Sequence, residues 1–137
     1  MPYPSGGAII DNMKLANKDI SVCIWSQNYE KLAKWYEDVL GFKVHQRLTL
    51  PDDTGIDFDF LPTHFYVGRH SKIKDKSKDP FRIMVGFNVE SVNAAFNELK
   101  KKDVKFIAKP FEGPPGGFWC MTIEDPDGNI IQFFGNK

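Results

Sequence analysis

The feature that most constrains this chain is a pattern of secondary structure that occurs twice, at a period of roughly sixty residues. Each copy begins with a short alternating stretch, typical of a strand, followed by an amphipathic stretch, typical of a helix. Three further alternating stretches complete each copy. A single copy has one helix to cover one face of its sheet and nothing for the other. The repeat therefore predicts two βαβββ modules in one α+β domain.

Residues 17–70 carry the first copy. Its helix has one apolar stripe, formed by Leu32, Trp35, Tyr36, Val39 and Leu40. We expect Asn28 to cap this helix and Gly41 to end it. The strands are predicted over residues 19–25, 42–48, 56–60 and 63–68.

Residues 81–135 carry the second copy, after a lysine-rich linker over residues 71–80. Its helix starts at Glu90 or Ser91. Its strands are predicted over residues 82–89, 103–107, 118–124 and 130–134, with a Gly-Pro loop over residues 110–117. Residues 1–16 form an N-terminal arm, and residues 17–137 form the single domain. We expect the modules to build an incomplete eight-stranded barrel with the helices on its outer face.

The charge balance gives no long-range attraction to phosphate backbones or anionic lipid. Lysine plus arginine and aspartate plus glutamate both number 18, so we expect no nucleic-acid partner. No apolar run approaches the roughly 20 residues that span a bilayer, so we expect no membrane partner. Cys23 and Cys120 lie far apart and in no paired metal spacing. With no secretory signal visible, this favours a cytoplasmic protein with two reduced thiols.

Three stretches of the sequence carry a resemblance to a known family. Residues 35–42, WYEDVLGF, end the first helix, and residues 88–90 lead into the second. Residues 125–133, DPDGNIIQF, cover the final hairpin and strand and are the most specific of the three. Together they resemble the vicinal-oxygen-chelate superfamily, which includes glyoxalases, bleomycin-resistance proteins and extradiol dioxygenases. With the repeat, the resemblance covers residues 18–135 and implies the fold predicted above.

The resemblance also implies where a metal would bind. Metal-dependent members hold their ion with ligands on the first and last strand of each module. Carried over by distance from the motifs, these positions are Ser21, Tyr66, Met84 and Gln132. A hydroxyl, a phenol, a thioether and an amide do not replace the carboxylates and imidazoles that such a metal needs. We therefore expect no metal and no other cofactor.

Alternation places further side chains in the same groove. If Ser21 faces it, then so does Trp25, while Met84 brings Asn88 and Tyr66 brings His64. Asp57 and Asp59 face either the groove or water, and the face of Trp119 is not fixed by the pattern. The tryptophans are equally well explained by packing, His64 by a hydrogen bond within its strand, and the aspartates by a solvated face. The candidate groove residues are Ser21, Trp25, Asp57, Asp59, His64, Tyr66, Met84, Asn88, Trp119 and Gln132.

Three functions remain open. A binding module would hold a small aromatic or amphipathic molecule in a metal-free groove without transforming it. An enzyme of the same superfamily, of lyase or dioxygenase type, would have an absent metal site, or a displaced one at His64, His70, Asp57 and Asp59. An interaction module would have its groove filled by a partner subunit. The resemblance favours a homodimer, since family members often pair modules across two chains.

Overall fold

Two helices and eight strands make up the part of the chain that the computed structural model describes, residues 14–51, 53–114 and 117–137. Most of the predicted arm and part of the Gly-Pro loop lie outside the described residues. The helices are α1 (Tyr29–Asp38) and α2 (Val92–Leu99). The strands are β1 (Val22–Trp25), β2 (Val44–Leu50), β3 (Asp53–Phe60), β4 (Thr63–Gly68), β5 (Val85–Ser91), β6 (Lys105–Glu112), β7 (Trp119–Glu124) and β8 (Ile130–Asn136). No helix in the described ranges combines the length and apolar character needed to cross a bilayer.

The strands form two four-stranded sheets with the same topology. The first sheet has the order β1-β4-β3-β2 and the second β5-β8-β7-β6. In each, the first and last strands of the module pair in parallel and the remaining pairs are antiparallel. This confirms the predicted α+β class and the repeat of the βαβββ module. The sheets are separate, however, and are not closed into a barrel.

One apolar core joins the two modules. Leu32 and Tyr36 of α1 are buried against the first sheet, and Val92 and Leu99 of α2 against the second. The ring of Phe87 on β5 lies 4.9 Å from that of Phe42 and 5.5 Å from that of Phe60, measured between centroids. The helix-bearing faces of both sheets therefore contribute to a common interior. The opposite face of each sheet is called its open face below.

A hydrogen bond also links the modules within this core. The hydroxyl of Tyr36, which is fully buried on α1, donates to Oδ2 of Asp125 at 2.7 Å. Oδ1 of the same carboxylate accepts from the backbone N–H groups of Asp127 and Asn129, both at 2.9 Å. Gly128 has a φ of +84°, as this turn requires. The first and third of the resembling stretches thus meet in space.

Several element boundaries differ from the prediction. β5 begins at Val85, because β8, its neighbour in the sheet, offers its first pairing position at Ile131. β6 runs on to Glu112, into the expected loop, and includes Pro110. An edge strand tolerates proline because one side of its backbone needs no ladder bond. Gly41 adopts a φ of +74° just after α1, as expected, but the Asn28 side chain makes no capping bond.

Candidate functional site

The open face of the first sheet gathers most of the predicted groove residues. On β4, Tyr66 lies between Cys23 of β1 and Asp57 of β3 in the strand register. His64 pairs with Asp59 one step further along the same strands. Because side chains alternate along a strand, these residues project opposite to Phe58 and Phe65, which are buried in the core.

Asp57 and His64 form a hydrogen-bonded pair on this face. His64 Nδ1 lies 2.8 Å from Asp57 Oδ2. The Asp57 side chain is 8% exposed and that of His64 is 52% exposed. Oδ1 of Asp57 is buried and has no hydrogen-bond partner among the described residues. The imidazole is thus oriented by a carboxylate that retains one unused acceptor.

Tyr66 and Asp53 form a second hydrogen-bonded pair next to the first. The Tyr66 hydroxyl donates to Asp53 Oδ1 at 2.7 Å. Burial, followed by this hydrogen bond and the Asp53 charge, raises the pKa of Tyr66. Burial, followed by the charges of Asp53 and Asp57, raises the pKa of the Cys23 thiol. Both groups therefore stay protonated at neutral pH, in surroundings that disfavour negative charge.

Two glycines let the Tyr66 ring lie against the sheet. A Cβ at Gly55 would fall 2.6 Å from ring atoms of Tyr66, and one at Gly68 would fall 2.5 Å from them. Trp25 closes one end, with its ring centroid 5.7 Å from that of Tyr66 and 5.4 Å from that of His70. This arrangement of one tyrosine beside two glycines was missed from the sequence. Its signal was a glycine two residues after Tyr66 and another at the position paired with it on the neighbouring strand.

The remaining predicted residues lie elsewhere. Gln132, on the open face of the second sheet, has its Nε2 3.5 Å from Thr122 Oγ1. Asn88, on β5, and Met84, just before it, are exposed. No hydrogen bond or aromatic contact between described residues joins the two open faces. The predicted set is thus divided between the two sheets.

Trp119 is not on an open face. It packs against the shared core, and the Nζ of Lys137 lies 5.0 Å from the centroid of its ring. On β7 it alternates with Cys120, which pairs with Phe134. Its inclusion among the groove residues is therefore corrected to a packing role, the alternative that the pattern had left open.

A cavity lies between the modules, on their helix-bearing sides. This inter-module groove has a volume of about 740 Å³. It is lined mainly by apolar side chains, including Val22, Val39, Phe42, Phe60, Val85 and Phe87. Of the predicted groove residues only Asn88 reaches it. Glu98 and Lys102 of the α2 region lie at its wall, and Lys102 Nζ donates to the backbone oxygens of Asp38 and Val39.

Comparison with known proteins decides the family. The sequence model of the Glyoxalase/Bleomycin resistance protein/Dioxygenase superfamily matches residues 20–133. The chain belongs to this superfamily. The uncharacterized protein YwbC of Bacillus subtilis (strain 168) is 26% identical to it over 133 residues, covering 91% of this chain and 95% of its own.

Solved structures show the same superfamily fold. A superfamily member from Sphaerobacter thermophilus has a TM-score of 0.71 at 20% identity, covering 88% of this chain and 98% of its own. TnmS3, an antibiotic binding protein from Streptomyces sp. CB03234, has a TM-score of 0.72 at 16% identity, covering 91% and 100%. At these identities the likeness establishes the fold.

The positions of the superfamily's metal ligands do not form a ligand set here. Ser21 and Met84 are exposed and each precedes its strand by one residue. The Tyr66 hydroxyl is engaged with Asp53, and Gln132 contributes only a neutral amide. Within the described ranges, no three His, Cys, Asp or Glu residues are grouped so that they could hold a metal ion. The donor groups at these four positions therefore do not fit a divalent cation.

Proposed function

We propose that this protein binds a small aromatic or amphipathic molecule on the open face of the first sheet and releases it unchanged. The observation that carries the proposal is the placing of Trp25, Tyr66, His64 and Asp57 on one surface that no helix covers. Aromatic rings beside a few fixed polar groups are the usual composition of small-molecule sites. TnmS3, described as an antibiotic binding protein, shares the fold.

The donor chemistry supports binding rather than metal-dependent turnover. The hydroxyl, phenol, thioether and amide at the four superfamily positions would hold no Lewis acid at ordinary affinity. A metal site displaced to His64, His70, Asp57 and Asp59 is not supported either. The His70 ring packs edge-on against Trp25, and its Nδ1 accepts a hydrogen bond from the Lys72 backbone N–H. We propose that the protein acts without a metal or another cofactor, in the cytoplasm, where the free thiols Cys23 and Cys120 remain reduced.

Calorimetric titration with 2-naphthalenemethanol, a neutral aromatic alcohol, tests the binding function. We expect saturable binding, with the alcohol recovered unchanged by mass spectrometry. Because a stacked aromatic contact contributes about 0.5–1.5 kcal/mol, Trp25→Ala should weaken binding by about three- to tenfold. Trp35→Ala, the same change on α1, is the control and should leave the affinity unchanged. The absence of binding, or conversion of the alcohol to a product, would refute the proposal.

We also propose that the active form is a homodimer. Ile20 and Ile83 precede Val22 and Val85 by two residues and are 73% and 80% exposed. Val22 and Val85 line the inter-module groove, so alternation extends its apolar surface outward through both isoleucines. β1 and β5 are edge strands with no second neighbour among the described residues. A second copy would cover this surface.

A further inference from the structure

The carboxylate of Asp57 has more acceptor capacity than its surroundings use. Its residue is 6% exposed, and one of its two oxygens has no hydrogen-bond donor within the described chain. The nearby Tyr66 hydroxyl is committed to Asp53. Burying an unpaired acceptor on a charged group disfavours folding. A group that supplies a donor here would recover that free energy.

The same face carries uncompensated negative charge. Asp53, Asp57 and Asp59 alternate along β3 and project from one side of the sheet. Within the described ranges, no lysine or arginine forms an ion pair or hydrogen bond with any of them. The ring of Trp25 packs edge-on against Tyr66, whose hydroxyl donates to Asp53. Carboxylates next to an indole ring favour a positively charged group over a neutral one.

We propose that the open face of the first sheet recognises a cationic nitrogen group, a protonated amine or amidinium carried on an aromatic ligand, with Asp57 as its ion-pairing partner. The inference rests on the proposed binding function and narrows its ligand class. The ammonium donates to the Asp57 carboxylate, and the aromatic body packs against Trp25. Asp53 and Asp59 add attraction at longer range.

His64 controls access to Asp57. Oδ1 of Asp57 is shielded from solvent, whereas the His64 side chain is half exposed. The imidazole is held by a single side-chain hydrogen bond among the described residues. In the proposed complex, this ring rotates away from Oδ2 and the ammonium replaces it as the hydrogen-bond donor. Asp57 is therefore the recognition group, and His64 is its cover.

A matched pair of probes tests the proposal. Calorimetric titration compares 2-naphthylmethylammonium with 2-naphthalenemethanol, which share an aromatic body and differ in charge. Because a hydrogen bond to a charged group contributes about 1.5–3 kcal/mol, we expect the cation to bind at least about tenfold tighter. Asp57→Asn keeps the side-chain shape and should reduce this preference to about twofold or less.

Two further variants keep the test decisive. His64→Ala removes the cover and should preserve the preference for the cation. Asp38→Asn, on the exposed side of α1 where Asp38 pairs with Lys34, removes the same charge elsewhere and should also preserve it. Circular dichroism establishes that each variant is folded.

The outcomes separate this inference from the binding function. Equal affinity for both probes, or an unchanged preference in Asp57→Asn, overturns the cation proposal while the binding function stands. Loss of the preference in His64→Ala assigns recognition to the imidazole and also overturns it. Failure of both probes to bind overturns the cation proposal and the binding function together.

Discussion

The Asp125 carboxylate has two structural roles, because it closes a turn and also links the two modules. It is 3% exposed and accepts from Tyr36, from Asn129 through both backbone and side chain, and from Asp127. Burial raises the pKa of Asp125, while the hydrogen bonds from Asn129, Tyr36 and Asp127 lower it by less. Because the pKa is raised overall, the ionised Asp125 carboxylate is less favourable in the folded chain than in the unfolded chain.

This shift predicts a pH-dependent difference between the protein and its Asp125→Asn variant. With a raised folded-state pKa, the folded chain binds a proton at higher pH than the unfolded chain does. The contribution to stability is therefore present at low pH and is lost as pH rises through the folded-state pKa. Urea denaturation should show the free energy of unfolding of the protein, minus that of the variant, increasing from pH 7 toward about pH 4.

The control for this prediction lies in the same turn. The side chain of Asp127 makes no hydrogen bond within the described ranges, so Asp127→Asn should change the free energy of unfolding by about 0.5 kcal/mol or less. If the free energy of unfolding of the protein minus that of Asp125→Asn stays constant or decreases as the pH falls, the raised pKa of Asp125 is contradicted.

At the residue scale, the resemblance and alternation together placed part of the site. The resemblance put Ser21 and Tyr66 in one groove, and alternation added Trp25 and His64; the register places Trp25, His64 and Tyr66 on one face. It could not choose between groove and solvent for the aspartates, because burial of Asp57 depends on His64, Tyr66 and neighbouring strands. Asp59, two residues away with the same alternation, is exposed. Counting residues from the family motifs also did not predict that Ser21 and Met84 lie one residue before their strands begin.

The two helix N-termini differ in how they are capped. Ser91 has extended backbone geometry, its hydroxyl accepts from the Ala94 N–H at 3.1 Å, and it donates to the Lys137 carbonyl. At α1, Asn28 makes no such bond, and Ser26 Oγ instead accepts from the Asn28 N–H. Residue type alone favours both positions as caps. Only the backbone conformation separates them.

This difference predicts unequal losses of stability. Ser91→Ala should lower the free energy of unfolding by about 1 kcal/mol, because the N–H of Ala94 loses its acceptor. Asn28→Ala, the matched control, should cost about 0.5 kcal/mol or less. Urea denaturation of both variants measures the comparison. Equal losses, or a larger loss at Asn28, would show that the capping assignment is incorrect.

At the element scale, the sequence predicted every helix and strand but not every boundary. The apolar stripes and alternating runs report which side of an element faces the core, and this was enough to establish order and type. Boundaries depend on the partner strand. Residues 82–84 alternate like a strand, yet residues 82 and 83 fall opposite positions that precede β8, and the pairing begins only at Val85. β6 is longer than predicted because Phe111 and Glu112 pair with Cys120 and Trp119 of β7.

At the scale of the whole molecule, the sequence predicted two modules with the helices on the outer face, but not the side chains that join them. The apolar stripes show that each helix covers its own sheet and do not specify the contacts between the modules. Phe87 decides the matter, because its ring contacts aromatic residues of the first module and also lies 6.2 Å from Phe133 of the second. Both open faces are thereby left uncovered by any helix or strand of residues 14–51, 53–114 and 117–137.

The proposed dimer predicts that a charge introduced into its interface prevents association. Ile83→Lys places an ammonium on the apolar surface that the second copy would bury, and desolvating it disfavours association. Sedimentation velocity should show twice the 15.7 kDa chain mass for the protein and the single chain mass for the variant. Leu50→Lys, at the outer end of β2 and 57% exposed, is the control and should remain dimeric. A wild-type protein of single chain mass would exclude the dimer.

Because the hydrogen bond between Tyr36 and Asp125 joins the two copies of the repeat, neither copy is an independent folding unit. Cutting the chain between them would leave a phenol without its acceptor in one fragment and a carboxylate without its donor in the other. Each fragment would also expose one half of an aromatic interior. Neither half is expected to survive alone, so heating should melt both in one cooperative event.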